Sequence, residues 1–270
     1  MRKIRNSEPA ISTWQIPDNK VVFWKGRSKD WVVVIPVINE GKRLHDFLLR
    51  MRSAHIHEIA DILIVDGGSI DGSVNENVLS QMNVSGLILK TGAGGLSAQL
   101  RCAYAYALEQ GYRGIVTIDG NNKDDPRYIP HFISALEKGF HFVQASRFIT
   151  GGRGENTPIL RYFAVRFIHA PLLSLFSGFH WTDTTQGFRA YSSDLLADPK
   201  ISIFRDVFDT YELLAYLSYI SPRMGYRCIE LPSRRTYPKG KVPTKIKGLR
   251  QNVRLLSILM KACLGLYNVR

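Results

Sequence analysis

The chain has 270 residues, of which 45% are hydrophobic and 22% are charged, and its formal net charge is +13. This balance is typical of a folded globular protein, so intrinsic disorder, a collagen-like repeat and a disulfide-held miniprotein are excluded for the chain as a whole. Three widely separated cysteines without a CxxC pair argue against a disulfide framework and a zinc knuckle, and they favour a reducing cytosol.

The first two-thirds of the chain alternate between short apolar runs and helical patterns. Apolar runs rich in β-branched residues predict strands at 31–35, 61–65, 86–89, 114–118 and 141–145. Apolar residues spaced three and four apart predict helices at 42–53, 72–81, 96–110 and 127–138. This alternation predicts an α/β fold, with a Rossmann-like, mostly parallel sheet covered by helices on both faces. The ligands of such sheets bind beyond the carboxyl ends of the strands.

The last third of the chain is less regular. We expect helices at 158–178 and 207–220, and a strand followed by a basic loop at 222–245. Residues 246–267 are expected to form an amphipathic helix. We therefore divide the chain into three parts: an N-terminal extension (1–30), one α/β domain (31–235), and a basic loop with the amphipathic helix (236–270).

The sequence predicts neither a signal peptide nor a transmembrane span. The start lacks the apolar core of a signal peptide. The stretch 162–179 is apolar but contains Arg166 and His169, so no transmembrane span is expected. We expect a cytoplasmic protein.

Polar clusters follow the predicted strands, where a parallel sheet binds its ligand. Asp66 precedes two glycines, and a carboxylate at this place can accept hydrogen bonds from a ribose hydroxyl or a base N–H. Asp119 opens a second cluster, whose oxygens are spaced to share a hard cation such as Mg²⁺ or Mn²⁺. For the later acids of the two clusters, Asp71 and Asp125, the alternative is a helix cap.

Two further loops combine charge with glycine or amide groups. Loop 146–154 contains Arg147 and Arg153 and could fold over an anion, or it could be an ordinary solvated loop. Asp183 opens a polar run, and its carboxylate could act as a general base.

Five segments together resemble the motifs of family 2 glycosyltransferases of the GT-A fold, nearest to the dolichol- or polyprenyl-phosphate sugar transferases. They are Val34–Glu40, Ile64–Ser73, Asp119–Asn121, Ala145–Phe148 with Gly151 and Gly152, and Thr182–Tyr191. They occur in the family's order, each at a predicted strand end, and the resemblance spans roughly residues 30–235. It implies that the α/β domain is a GT-A glycosyltransferase domain using a nucleotide-sugar donor.

The resemblance also implies a role for each motif. Donor-binding positions would be Pro36, Asn39, Glu40, Asp66, Ser69, Asp119, Gly120, Asn121, Lys123 and Gln186. Arg147 would face the donor or acceptor phosphate, and Asp183 would be the first choice for a base, with Glu212 the second. If the acceptor is a lipid phosphate, it is already anionic, and these acids would only orient groups.

The same resemblance implies Mg²⁺ or Mn²⁺ on Asp119 and Asn121, but the chain departs from the family here. Asn121 stands where the family has a second acid, and an amide oxygen is a neutral, weaker ligand for a hard dication. Lys123 stands at a metal-facing Gln position and could replace part of the cation's charge beside a diphosphate. The family also has a pair of adjacent Asp residues in its earlier motif, and Gly67 stands at the second of these positions in this chain. Metal dependence is therefore left open.

The net positive charge is concentrated at the end of the chain. Residues 221–270 carry twelve Lys and Arg against one acid, Glu230, which indicates an anionic partner. Arg234, Arg235 and Lys245 could bind a polyprenyl phosphate or an anionic membrane surface. The amphipathic helix could lie on that membrane, making the protein peripheral at its inner face, or pack on the domain; the sequence favours neither.

We therefore interpret the chain as a glycosyltransferase of cell-surface glycan or glycolipid biosynthesis. It would transfer a sugar from a nucleotide-diphosphate sugar to a lipid-phosphate or glycan acceptor, with inversion. A first alternative is a catalytically weakened relative that only binds nucleotide-sugar. A second is a basic nucleic-acid-binding protein, although no aromatic residues are interleaved with the basic ones in an RNA-recognition pattern, so no specific nucleic acid is expected.

Overall fold

A computed structural model describes residues 13–238 and 248–269. Its strands are β1 (Asn19–Trp24), β2 (Trp31–Val37), β3 (Asp61–Asp66), β4 (Gly86–Lys90), β5 (Gly114–Thr117), β6 (Phe142–Ser146), β7 (Arg153–Glu155), β8 (Arg189–Ser192), β9 (Cys228–Pro232) and β10 (Arg234–Thr236). Its helices are α1 (Lys42–Ser53), α2 (Glu76–Gln81), α3 (Leu96–Glu109), α4 (Ile129–Glu137), α5 (Ile159–Ala164), α6 (Ala170–Ser177), α7 (Ser193–Ala197), α8 (Glu212–Arg223) and α9 (Gly248–Cys263).

Eight of these strands form one sheet, in the order β1-β4-β3-β2-β5-β8-β6-β9, and β7 pairs with β10 in a small second sheet. In the large sheet, β2 is parallel to β3 and β5, β3 to β4, and β6 to β9. β1 and β8 run antiparallel to their neighbours. The predicted α/β fold with a mostly parallel sheet is confirmed.

Both faces of the sheet are buried. Val32 and Val34 of β2 enter the core formed with α3 and α8, whereas Val33 and Ile35 enter the core formed with α1 and α4. Successive side chains of a strand point to opposite faces, so a strand covered on both faces reads as one continuous apolar run. The carboxyl ends of β2, β3 and β5 consequently carry the loops that contain the polar clusters.

Two segments differ from the predictions. β1 lies in the part assigned to an N-terminal extension, yet it pairs with β4 as an edge of the sheet. The helix predicted at 72–81 begins only at Glu76, because the Asn75 side chain caps it by accepting a hydrogen bond from the Val78 N–H.

The helical segment predicted at 158–178 consists of α5, a π-helical turn at Val165–His169, and α6. Within the described residues, Ile159–Ser177 is long and apolar enough to cross a membrane by length and composition, and it is mostly exposed. A single helix of this kind is weak evidence for a span, so it does not overturn the expectation of a chain without transmembrane helices. Arg166 and His169 interrupt its apolar run.

α9 packs on the domain and exposes apolar side chains at the same time. Leu259 and Ala262 are buried in the core shared with α8 and α6. Val253 and Leu264 of the same segment are more than half exposed. The helix therefore packs on the domain, which was one of the two alternatives, and it also exposes apolar side chains to solvent. Lys245, which precedes it, lies outside the described residues.

Candidate active site

The loops after β2 and β3 are bonded to each other at the edge of the sheet. Asn39 N–H donates to Ser69 Oγ at 2.9 Å, and Asn39 Oδ1 accepts from Ile70 N–H at 2.9 Å. Asp66 accepts from both the N–H and the hydroxyl of Ser69. The predicted base and ribose residues thus lie together, with Glu40 beside them in an ion pair with Arg43. Their contacts with a nucleotide stay a prediction.

Two glycines allow the closest approaches in the site. A Cβ at Gly120 would lie 2.6 Å from a methyl of Val37, and a Cβ at Gly187 would lie 2.4 Å from Asp119 Oδ1. A side chain at either position would collide with these atoms, so the chain needs glycine at both. The second approach brings the loop that contains Asp183 and Gln186 against Asp119.

Asp119 is surrounded by positive and amide groups. Its Oδ2 lies 3.3 Å from Arg235 Nη2 and accepts a hydrogen bond from Asn121 Nδ2 at 3.2 Å. Arg235 also pairs with the fully buried Asp124 through its Nη1. Burial and the neighbouring Arg235 guanidinium lower the pKa of Lys123 from its usual value. Arg235, predicted to bind the acceptor or a membrane, instead lies inside the donor cluster.

The residues around Asp119 do not fit the ligand set of Mg²⁺ or Mn²⁺. Mg²⁺ takes oxygen ligands from one or two carboxylates, from water and from substrate phosphates. Here Asp119 is engaged by a guanidinium, and the amide nitrogen of Asn121 points to it. Within residues 13–238 and 248–269, no three His, Cys, Asp or Glu side chains are grouped to hold an ion.

Arg147 and Asp183 form a buried pair in the middle of the site. Arg147 Nε lies 2.7 Å from Asp183 Oδ2 and its Nη2 lies 3.0 Å from Oδ1, while Gln186 Nε2 donates to Oδ2 at 2.6 Å. Burial acts to lower the pKa of Arg147, but the Asp183 carboxylate raises it and prevails. Since its carboxylate is wholly buried in this pair, Asp183 is placed as a positioning residue for Arg147 and not as an exposed base.

Glu212 is held by the loop that precedes α8. Its carboxylate accepts hydrogen bonds from the backbone N–H groups of Asp209 and Thr210 and from the Thr210 hydroxyl at 2.9 Å. A carboxylate in the first turn of a helix also opposes the positive end of the helix dipole. Glu212 thus fixes this loop against the start of α8, and these bonds occupy both of its oxygens.

Tyr237 was not predicted as a site residue, yet it contacts Arg147 and several other cationic side chains of the site. Arg147 Nη1 donates to its hydroxyl at 2.9 Å, and the cationic groups of Lys123, Arg161 and Arg235 lie 5.5–5.7 Å from its ring centre. Burial acts to raise the pKa of this phenol, but Arg235 and Arg147 lower it and prevail. The sequence did offer a signal, because Tyr237 is an aromatic residue two positions after a pair of arginines. We had assigned this segment to a loop.

Two cavities are lined by the two partners of the contact between Arg147 and Tyr237, one cavity by each. One, of about 470 Å³, is lined by Tyr237, by Lys123 and Arg234, and by further basic and amide side chains. The other, of about 620 Å³, is lined by Arg147 and Arg153 together with the aromatic rings of Phe148, Tyr162 and Phe163. The first is suited to a polar anion, and the second to an anion that carries an apolar chain.

Residues 32–198, more than half of the chain, match the family model described as glycosyl transferase family 2. The chain belongs to this family. It is a glycosyltransferase, as its motifs indicated, and the roles of its individual residues stay predictions.

Two relatives of this glycosyltransferase have names that state a substrate. Undecaprenyl-phosphate mannosyltransferase of Micrococcus luteus is 27% identical over 206 residues, which cover 74% of this chain and 81% of that protein. Polyprenol monophosphomannose synthase of Mycolicibacterium smegmatis is 27% identical over 205 residues, which cover 74% of this chain and 75% of that protein.

Solved structures confirm the GT-A fold of the glycosyltransferase. Glucosyl-3-phosphoglycerate synthase of Mycobacterium tuberculosis with Mg²⁺ and UDP has a TM-score of 0.61 and 15% identity, over 87% of this chain and 80% of that chain. The same protein with Mn²⁺, UDP and glucosyl-3-phosphoglycerate has a TM-score of 0.58 and 14% identity, over 89% and 80%.

Glu230 was also missed, and it supports the loop that contains Asp183. Its carboxylate accepts hydrogen bonds from the N–H groups of Thr182 and Asp183 and from the Thr182 hydroxyl. Burial raises its pKa from 4.5 to about 7. Between these two values the folded glycosyltransferase binds the proton more tightly than the unfolded chain does, so this carboxyl lowers stability as the pH rises through that window.

We predict that Glu230→Gln removes this pH dependence. Relative to the variant, the wild type should lose stability from pH 4.5 to 7, at no more than about 1.4 kcal/mol per pH unit. Chemical denaturation of both proteins at pH 4.5, 6 and 7.5 measures the difference. A difference that stays constant across the window would contradict the assignment.

Proposed function

We propose that the enzyme transfers a sugar from a nucleotide-diphosphate sugar to the phosphate of a polyprenyl lipid, at the surface of a membrane. The observation that carries the proposal is a basic cavity lined by Tyr237 and an aromatic cavity lined by Arg147, the two residues being hydrogen-bonded to each other. The names of the two relatives, both polyprenyl-phosphate enzymes, support the same substrate class. The identity of the sugar and of the nucleotide stays open.

The donor diphosphate fits the basic cavity. Lys123, Arg234, Arg43, Arg50 and Arg127 line it, against the two acids Asp125 and Glu155. Transfer breaks the bond between the anomeric carbon and the diphosphate, and the leaving nucleoside diphosphate takes the electron pair. Fixed positive groups beside it stabilise the charge that develops in the transition state.

The acceptor phosphate fits the aromatic cavity, where Arg147 has to exchange its contact with Asp183 for the phosphate, because its side chain is only 1% exposed. A phosphate oxygen is already anionic, so it attacks the anomeric carbon without a base. This agrees with an Asp183 that is buried against Arg147 and a Glu212 that is bonded to the loop before α8. A glycan hydroxyl would have to lose its proton, and both acids suggested for that step are engaged. A single displacement of this kind inverts the anomeric centre.

The lipid chain of such an acceptor would leave the second cavity along α5 and α6. Ile159 and Phe163 line that cavity, and with Leu160, Phe167 and Leu175 they are exposed on these helices. We call these five side chains the apolar face. Arg161 and Arg166 lie on the same segment and suit anionic headgroups. The enzyme is therefore expected to lie peripherally on the inner face of the membrane.

The acceptor requirement tests the proposal directly. With a panel of labelled UDP- and GDP-sugars, we expect transfer to undecaprenyl phosphate and at least about 100-fold less to undecaprenol. The alcohol lacks an ionised nucleophile, and general-base help, worth roughly 10²- to 10⁴-fold, is not provided. Chromatography of the lipid product measures both rates.

Three outcomes would contradict the proposal. Comparable transfer to undecaprenol would show that the phosphate is not the nucleophile. Transfer to a glycan hydroxyl in preference to either lipid would favour the glycan acceptor. Donor binding without transfer to any of them would favour a catalytically weakened relative.

A further inference from the structure

We infer that Lys123 supplies the positive charge that holds the donor diphosphate, with Arg235 as the fixed cation behind it, so that the donor binds without a divalent metal. The inference rests on the proposed function, since it concerns the same donor cavity. It assigns to two side chains of this glycosyltransferase the electrostatic role that Mg²⁺ or Mn²⁺ would otherwise have.

Arg235 occupies the position between the two carboxylates that a cation would need. Its Nη1 pairs with Asp124 Oδ2, and its Nη2 lies 3.3 Å from Asp119 Oδ2. The guanidinium is 7% exposed, and Asp124 is fully buried. A hydrated metal ion could therefore reach Asp124 only by displacing Arg235 from a buried ion pair, which would leave that guanidinium without a charge partner.

The remaining oxygens form an incomplete ligand set. Asp119 Oδ1 remains beside Gly187, and Asn121 directs its amide nitrogen, not its oxygen, to Asp119 Oδ2. Asn121 Oδ1 accepts a hydrogen bond from the Lys123 N–H at 3.2 Å. The second oxygen of Asp124 has no hydrogen-bond partner among the described residues, but it is shielded from solvent.

The charges of the cluster balance without an added ion. The two carboxylates of Asp119 and Asp124 stand against the two cations of Lys123 and Arg235. The negative charge of the donor diphosphate is met by the basic cavity, whose lining has more cations than acids. The two departures noted in the sequence, an amide at 121 and an ammonium at 123, together raise the net charge of the motif by two.

Of the two cations, Lys123 faces the donor. Lys123 lines the basic cavity together with Arg234 and Tyr237. Its ammonium lies 5.5 Å from the Tyr237 ring centre, and the Arg235 guanidinium lies 5.6 Å from the same ring. Both cations thus lie near the same ring, and Lys123 is the one of the two that lines the cavity in which a diphosphate would bind.

Calorimetric titration of UDP and of GDP into the full chain tests this inference. For the nucleotide that binds, we expect the same affinity within about twofold in EDTA and in Mn²⁺. Lys123→Gln should weaken binding in EDTA by roughly tenfold or more, the scale of one lost hydrogen bond to a charged group. Lys123→Arg should retain most of the affinity, and Lys200→Gln, which removes an exposed charge elsewhere, should retain all of it.

Electron paramagnetic resonance of Mn²⁺, with and without the nucleotide, gives an independent readout. We expect no tightly bound Mn²⁺ in the wild-type protein. Nucleotide binding that requires Mn²⁺, or a Lys123→Gln protein that melts normally and binds unchanged in EDTA, would overturn the inference while leaving the proposed function in place. Failure of both nucleotides to bind under any condition would remove the proposed function, and this inference with it.

Discussion

The double variant Arg147→Met with Asp183→Asn should transfer sugar to undecaprenyl phosphate at least about 100-fold more slowly than the wild type. Arg147 is the charge partner that we assign to the acceptor phosphate, and losing one such donor in an active site costs roughly 10²- to 10³-fold in rate. The pair is changed together because a lone carboxylate left in this site would cost about 3–5 kcal/mol of stability. Steady-state kinetics and a melting curve measure the two effects separately.

Arg113→Gln is the control, since Arg113 lines neither cavity and has a side chain that is 62% exposed. We expect near-wild-type rates from it. The single variant Asp183→Asn separates positioning from base catalysis. A positioning role predicts a higher KM for the acceptor and an unchanged pH profile, whereas loss of the acidic limb of the pH–rate profile would identify Asp183 as the base. Wild-type rates from a folded double variant would refute the assignment of Arg147.

The second large effect concerns the apolar face. Leu160→Asp with Phe163→Asp should lower partitioning onto anionic vesicles by about 100-fold or more. Burying a leucine or phenylalanine contributes roughly 1.5–3 kcal/mol, so two lost anchors exceed a factor of 100. Leu160 is 77% and Phe163 52% exposed, so the change should leave the fold intact. Co-sedimentation with vesicles of phosphatidylglycerol and phosphatidylcholine measures the partitioning.

Leu49→Asp with Val78→Asp is the control, because these exposed apolar residues lie on α1 and α2, outside the apolar face. We expect it to bind vesicles like the wild type. Phe163 also lines the acceptor cavity, so transfer to a short-chain, water-soluble polyprenyl phosphate should be measured in parallel. Equal vesicle binding by the two double variants would contradict membrane docking through α5 and α6.

The parts of the fold that the sequence predicted well are those with buried, two-sided strands. β2 and β3 are continuous apolar runs that end in polar loops, and both lie within one or two residues of their predicted bounds. β1 gave no comparable signal, because half of it is exposed at the sheet edge and its pairing with β4 is set by contacts distant in sequence. α2 lost its expected first turn because polar bonds within the Asp66–Asp71 loop compete with the helix.

The same reasoning located the cluster around Asp119 but not what surrounds it. The motif spacing brought Asp66, Asp119 and Asp183 to neighbouring loops, as expected. The arginine partners of Asp119 and Asp183 are set by long-range pairing: Arg235 reaches Asp119 because β9 and β10 return beside β6 and β7. No local pattern encodes such a return, so the pairing of Asp183 with Arg147 and the support from Glu230 became visible only in three dimensions.

The order in which the chain is made gives the contact between Arg147 and Tyr237 a further consequence. Tyr237 follows Arg147 by 90 residues, and Arg235 follows Asp124 by 111. α5 and α6 are therefore synthesised before Arg234, Thr236 and Tyr237, which complete the basic cavity. A nascent chain that ends before these residues already carries the apolar side chains of Ile159–Ser177 and the lining of the aromatic cavity, but not the complete basic cavity.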